Sequence, residues 1–95
     1  MADNAAIIVI RETDNVGTVT RNVVAGESVS ARVGNQTLSL VAASDIKFLH
    51  KIALKDIAAR ERIFKYGAVI GEATQRIQAG EHVHVHNIRS LWGKA

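Results

Sequence analysis

The chain has 95 residues, 47% of them hydrophobic and 22% charged, with 7 Gly and 0 Pro, which allows one compact core in a single domain over residues 1–95 and excludes a disordered polypeptide. Its net charge of +3 comes from 12 Lys and Arg scattered among 9 acids, with only 4% aromatic residues. That composition argues against a nucleic-acid-binding protein and suits an acidic small molecule or partner.

Cysteine is absent, so a disulfide framework, a thiolate metal site and a cysteine nucleophile are excluded, and the cytoplasm is the expected compartment. In chain order, "AAIIVI" at 5–10 is far too short for a signal segment or a membrane span and reads as a buried strand. "DNVGTVTRNV" at 14–23 suits a short helical turn capped by Asp14. "ESVSARV" and "QTLSLVA" alternate around "GNQ", the clearest hairpin signal in the chain. "SDIKFLHKIALKDIAA" at 44–59 has Ile46, Leu49, Ile52, Ala53 and Ile57 at helix-like spacings, although "HKIAL" can equally be a strand. "RIFKY" and "AVIGEA" are extended pieces joined at Gly67.

One phrase recurs in variant form as "VVAGESV" at 23–29, "IAARERI" at 57–63 and "IQAGEHV" at 77–83. Gly26 and Gly80 supply the left-handed backbone of a tight turn, which Arg60 reaches only at a cost. The unequal spacing is not that of a solenoid; it predicts a β-rich fold that reuses one corner.

"GEHVHVHN" at 80–87 concentrates three of the four histidines. On a strand, His82, His84 and His86 share one face while Val83 and Val85 take the core side. Neighbouring imidazoles are then roughly 7 Å apart and can lean onto one ion, whereas His82 and His86 cannot share it without a bend. Metal ligation, proton handling or anion contact, and a merely solvated strand face all fit this spacing. Asp14 and Asn15 read first as a turn or helix cap. His50 beside Lys51 suits an anion, since the ammonium repels a cation. Lys65 and Tyr66 read as a strand edge. No Ser-His-Asp grouping, phosphate-binding glycine loop or carboxylate pair is recognisable, so a complete catalytic apparatus is not expected.

Taken in order, "DNV" at 14, "HKIAL" at 50, "KYG" followed by "IG" at 65–71 and "AGEHVHVHN" at 79 resemble the SAF-type domain of the altronate and galactarate dehydratases. The same domain occurs as a separate small subunit in sulfolactate sulfo-lyase. The resemblance spans residues 14–87 and implies a mainly β fold, the β-clip, a small antiparallel assembly with one or two short helical turns. It also implies a non-autonomous part of a lyase that eliminates water or sulfite from a hydroxy acid such as altronate, galactarate or sulfolactate, commonly with Fe2+, most of the machinery lying in a large catalytic subunit. Transferred motif by motif, it nominates His86, His84 and Lys51 as catalytic, Asp14, Asn15, His50, Asn87, Lys65 and Tyr66 as substrate-binding, and His84 and His86 as metal ligands. Arg60 in "AARER" departs from the glycine turn expected there.

A chain that stops soon after the last motif suits a free-standing small subunit, with the segment 88–95 and its Trp92 as a partner contact. The alternative is a stand-alone module that binds sugar acids, other anions or a metal without catalysis. A small hydroxy-acid ligand, no nucleic acid and no membrane are expected on either reading. Self-association into a homo-oligomer depends on how the strand edges are protected.

Overall fold

A corner that recurs four times organises the chain in the computed structural model, which describes residues 5–90. Each corner starts at a buried apolar residue, turns through left-handed backbone three positions later, and opens a strand around a second buried apolar residue. The apolar pairs are Val23 and Val29, Ile46 and Ile52, Ile57 and Ile63, and Ile77 and Val83, none more than 1% exposed. The left-handed residues are Gly26 (φ 90°), Leu49 (72°), Arg60 (73°) and Gly80 (89°). Their N–H groups donate to the carbonyls of Ala42, Val19, Ala73 and Ala53 respectively. Arg60 therefore makes the same corner as the glycines, and it and Leu49 each bear about 1–2 kcal/mol for the left-handed conformation.

The corners join in pairs through the bridges Val23↔Ile46 and Ile57↔Ile77. In three of them a glutamate turns back and caps the first N–H of the turn: Glu27 accepts from Val24, Glu61 from Ala58 and Glu81 from Gln78. In the second corner that place is taken by His50.

Between the corners run β1 (Ala5–Ile8), β2 (Val16–Val19), β3 (Ser28–Val33), β4 (Gln36–Val41), β5 (Lys51–Ala53), β6 (Arg62–Lys65), β7 (Ala68–Ala73), β8 (His82–Val83) and β9 (Ile88–Arg89). One sheet has the order β4-β3-β1-β2-β5-β8, with β1 and β3 parallel and its other pairs antiparallel, and a second has the order β6-β7-β9. Two-residue loops close both long hairpins. Gly34 (φ 62°) and Asn35 join β3 to β4, and Tyr66 (56°) and Gly67 (79°), both left-handed as a type I′ turn requires, join β6 to β7.

The stretches 22–53 and 56–83 thus follow one course of corner, hairpin, corner and strand. They meet where β5 pairs with β8 in the register Lys51↔Val83 and Ile52↔His82. Lys51 and His82 hold the same place in their respective corners, as do Ile52 and Val83.

Two apolar clusters fill the interior. The first gathers Ile7, Val19, Val23, Val29, Ile46 and Ile52, and the second Val16, Ala53, Ile57, Ile63, Ile77 and Val83. β2 and β5 contribute to both, so the clusters share two strands. This folding back of strands is the β-clip expected from the sequence. Among the described residues there is no helix, and none long and apolar enough to cross a membrane.

The two helical readings are therefore corrected. Residues 16–19 form β2, and the Asp14 carboxylate caps the β6–β7 turn instead of a helix. The apolar spacing at 46–57 arises from a corner, a strand and a second corner, and Leu49 is 62% exposed, which no buried helical stripe would allow. Of the run 5–10 read as a buried strand, only Ala5–Ile8 forms β1, and Ala6 and Ile7 are buried whereas Ile8 and Ile10 are exposed. Ile88 and Arg89, placed in a C-terminal tail by the sequence reading, pair with β7, while Trp92 lies outside the described residues.

Candidate functional site

The strand bearing the histidines ends at Val83, and its continuation is a turn built by Asn87. The Asn87 side chain accepts from the His84 N–H at 2.9 Å and donates to the His82 carbonyl at 2.8 Å, while the N–H groups of Asn87 and Ile88 both reach the His84 carbonyl. The turn throws Val85 into solvent, 81% exposed, so only Val83 holds the core side expected of both valines. It also supplies the bend that an extended strand lacks. The His82 and His86 ring centroids lie 5.2 Å apart, where an extended strand would separate these residues by roughly 13 Å.

His50 enters from the end of the second corner and completes a stack. Its ring centroid lies 4.2 Å from His84 and 5.0 Å from His82, and its Nδ1 is 2.8 Å from His82 Nε2. His50, His82 and His84 each offer a ring nitrogen within 4.8 Å of the other two. His84 Nδ1 is buried with no hydrogen-bond partner among the described residues. Donors sharing one ion at about 2.1 Å stand roughly 3 Å apart, so a small closure of these rings suits a three-imidazole metal site. His86, one of the two ligands expected from the sequence, lies outside this group of three, in which His84 is joined by His50 and His82.

The surroundings are cationic. His82 is depressed to about 4, first by burial and then by His86, His50, His84 and Lys51. His84 is lowered by burial, His50, Lys51 and His86. Burial and the Lys65 ammonium hold Lys51 below the usual lysine range. Among the described residues no carboxylate figures in the groups that act on these three. Lys65 Nζ stands 4.9 Å over the Tyr66 ring, and the Tyr66 hydroxyl lies 3.4 Å from Thr18 Oγ1, directly across the ladder from Lys51. The fold therefore brings His50, Lys51, His84 and His86 together around His82, with Lys65 and Tyr66 adjoining through Lys51.

The other three nominated residues serve the framework. Asp14 is 5% exposed and accepts from Tyr66, Gly67 and Arg11. Asn15, 2% exposed, donates to the Arg62 carbonyl and accepts from Phe64 N–H, which ties down the outer edge of β6. Asn87 is equally buried and fully engaged in its turn. These side chains hydrogen-bond within the chain and hold the backbone that carries the site. Neither His82 nor Thr18 is among the residues nominated through the resemblance. The H-x-H spacing flagged His82, but only the pairing of β5 with β8 shows it as the centre of the cluster.

A corner-built β-clip carrying a cluster of imidazoles and ammonium groups defines an SAF-type domain. The altronate/galactarate dehydratase SAF domain model matches residues 5–91, and the chain belongs to that family. It is 41% identical over 85 residues to altronate dehydratase of Bacillus subtilis and 43% identical over 83 residues to altronate dehydratase of Escherichia coli, covering 90% and 87% of this chain. It spans only 16% of the length of each. It is also 40% identical over 80 residues to (2R)-sulfolactate sulfo-lyase subunit alpha of Chromohalobacter salexigens, covering 81% of this chain and 85% of that subunit.

Proposed function

We propose that this chain completes the active site of a cytoplasmic lyase, as its small subunit or as the counterpart of an N-terminal domain, in the elimination of water or sulfite from a hydroxy acid. Altronate, galactarate and sulfolactate are the substrate candidates. The observation that carries the reading is the placement of Lys51 beside the stacked histidines and of Lys65 beside Lys51, with no carboxylate among the described groups that act on Lys51, His82 and His84.

Elimination requires a held carboxylate, a base for the adjacent C–H and a proton or Lewis acid for the departing group. Lys51 and Lys65 suit the carboxylate, and Tyr66 borders them. His86, exposed at the rim of the cluster, suits delivery of a proton to the departing oxygen. His82 stays neutral at pH 7, so it serves as an acceptor or ligand. The base for C–H abstraction is assigned to a large catalytic subunit. The donor set fits Fe2+: His50, His82 and His84 would hold it, and it would supply Lewis acidity toward the leaving group.

The test is an affinity pull-down with the tagged chain from its native cell extract, assaying dehydration of sugar acids and release of sulfite from sulfolactate. A large co-purifying subunit with either activity, reduced at least about tenfold by His86→Ala or Lys51→Ala, is expected. An active enzyme indifferent to both substitutions, or no partner at all, overturns the proposal. The three close nitrogens also favour a second reading, a metal-binding module without catalysis. That reading requires stoichiometric binding of Fe2+ or Zn2+ by the isolated chain, lost in His50→Ala, with no catalytic partner recovered.

A further inference from the structure

A sheet edge is a row of unpaired N–H and C=O groups, and proteins normally shorten it, charge it or cover it. Here three of the four edges are managed. β8 and β9 are two residues long. β6 carries Arg62 and Lys65, and Asn15 occupies its outer backbone at Arg62 and Phe64. β4 is different. It runs six residues, Gln36–Val41, and no charged residue occurs from Val33 to Ser44.

The repeated course of the chain sharpens the contrast. β7 holds in the second hairpin the place that β4 holds in the first, and β7 is covered by β9 through Glu72↔Arg89 and Ala73↔Ile88. β4 has no such neighbour among the described residues. Its ladder parity is fixed by the Ala42 N–H donating to Glu27 and by the register Val33↔Gln36, which turns the backbone groups of Thr37 and Ser39 away from β3. On the inner face Leu38 and Leu40 pack only half-buried against the first cluster.

We propose that the outer edge of β4 is a homodimer interface, paired antiparallel with β4 of a second copy about a two-fold axis at Leu38. In this register Thr37 of each copy exchanges backbone hydrogen bonds with Ser39 of the other, and the two Leu38 side chains meet over a joined apolar face. A second copy is the fitting occupant because the strand is self-complementary: neutral on both sides of the axis, it brings no like charges together. The axis falls at Leu38 because the corner at Gly80 sits against the Val41 carbonyl. A Cβ on Gly80 would come within 2.2 Å of that oxygen, so the far end of β4 is already covered.

The experiment is sedimentation equilibrium of the 95-residue chain at high micromolar concentration, beside Ser39→Pro and Ser39→Lys. Proline at 39 removes an N–H that points away from β3, so it spares the hairpin, and lysine adds the charge that the edge lacks. The wild type is expected at twice the 10.3 kDa chain mass and both variants at the single mass, with unchanged circular dichroism. As a readout free of substitutions, amide exchange at Thr37 and Ser39 in the wild type should slow as concentration rises. A monomeric wild type, a dimer that survives both variants, or exchange at those amides independent of concentration overturns the proposal.

Discussion

Among single residues, His82 links the site most directly to solution conditions. In the unfolded chain its imidazole takes a proton near 6.5, and in the folded chain only near 4, because burial and the neighbouring histidines and Lys51 disfavour the cation. Between those values the unfolded state binds more protons. The contribution of His82 is therefore complete above about pH 6.5 and is lost as pH falls toward 4. The lowered carboxylates of Glu27 and Glu72 act below their ordinary value of 4.5, so the window above it belongs to His82 and His84. Urea unfolding midpoints should fall between pH 6.5 and 4.5, and His82→Gln should flatten that slope. A wild-type midpoint constant over this range would refute the assignment. At this scale the sequence singled out the residue types of the cluster but not what holds them in place. Asn87 and Asp14, nominated as ligand contacts from their motifs, also fix turns whose partners lie far off in the sequence or depend on the bend itself.

At the scale of the element, the corner is the unit to understand. Three of its occurrences were legible because Gly, or Arg in its place, precedes a glutamate. The fourth, "IKFLHKI", was hidden because Leu49 stands at the left-handed position and His50 where the glutamate belongs. The shared frame of "DIKFLHKI" and "DIAARERI", with Asp-Ile at the start and a basic residue and Ile at the end, was the available signal. The helix reading failed for the same reason: spacing records where apolar residues recur, and a corner followed by a strand can imitate a helical stripe. The cap exchanged for His50 predicts a trade-off between stability and function. His50→Glu should restore an acceptor for the first turn N–H and raise stability by about 0.5–1 kcal/mol in chemical denaturation. It should also abolish any divalent metal binding that depends on three imidazoles, measured by calorimetry on the same variant.

For the whole molecule, the β-clip was legible through the resemblance and the β-rich pattern, whereas the division into two apolar clusters was not, since hydrophobicity alone does not say which residues meet. β2 and β5 bind the clusters together: Val19 and Ile52 face the first, Val16 and Ala53 the second. The chain should therefore unfold in one transition. Ile77→Ala, in the second cluster, should cost about 2–5 kcal/mol and lower the midpoint equally whether read from that cluster or from the first. Separate transitions for amides around Val29 and around Ile63 in hydrogen exchange would contradict this.

The pairing of β5 with β8 has one more consequence. It sets Lys51 of one half against Val83 of the other, and Ile52 against His82, so Lys51 and His82, which hold the same place in their corners, lie one register step apart across the seam. Identical halves would present the same group on either side of that seam and could not distinguish the two ends of a molecule lying across it. Lys51 and His82 break the equivalence with an ammonium on one side and an imidazole on the other. On the proposed function, a small acid across the seam would meet two unlike poles, one suited to its charge and the other to its hydroxyl, and would be held in a single direction.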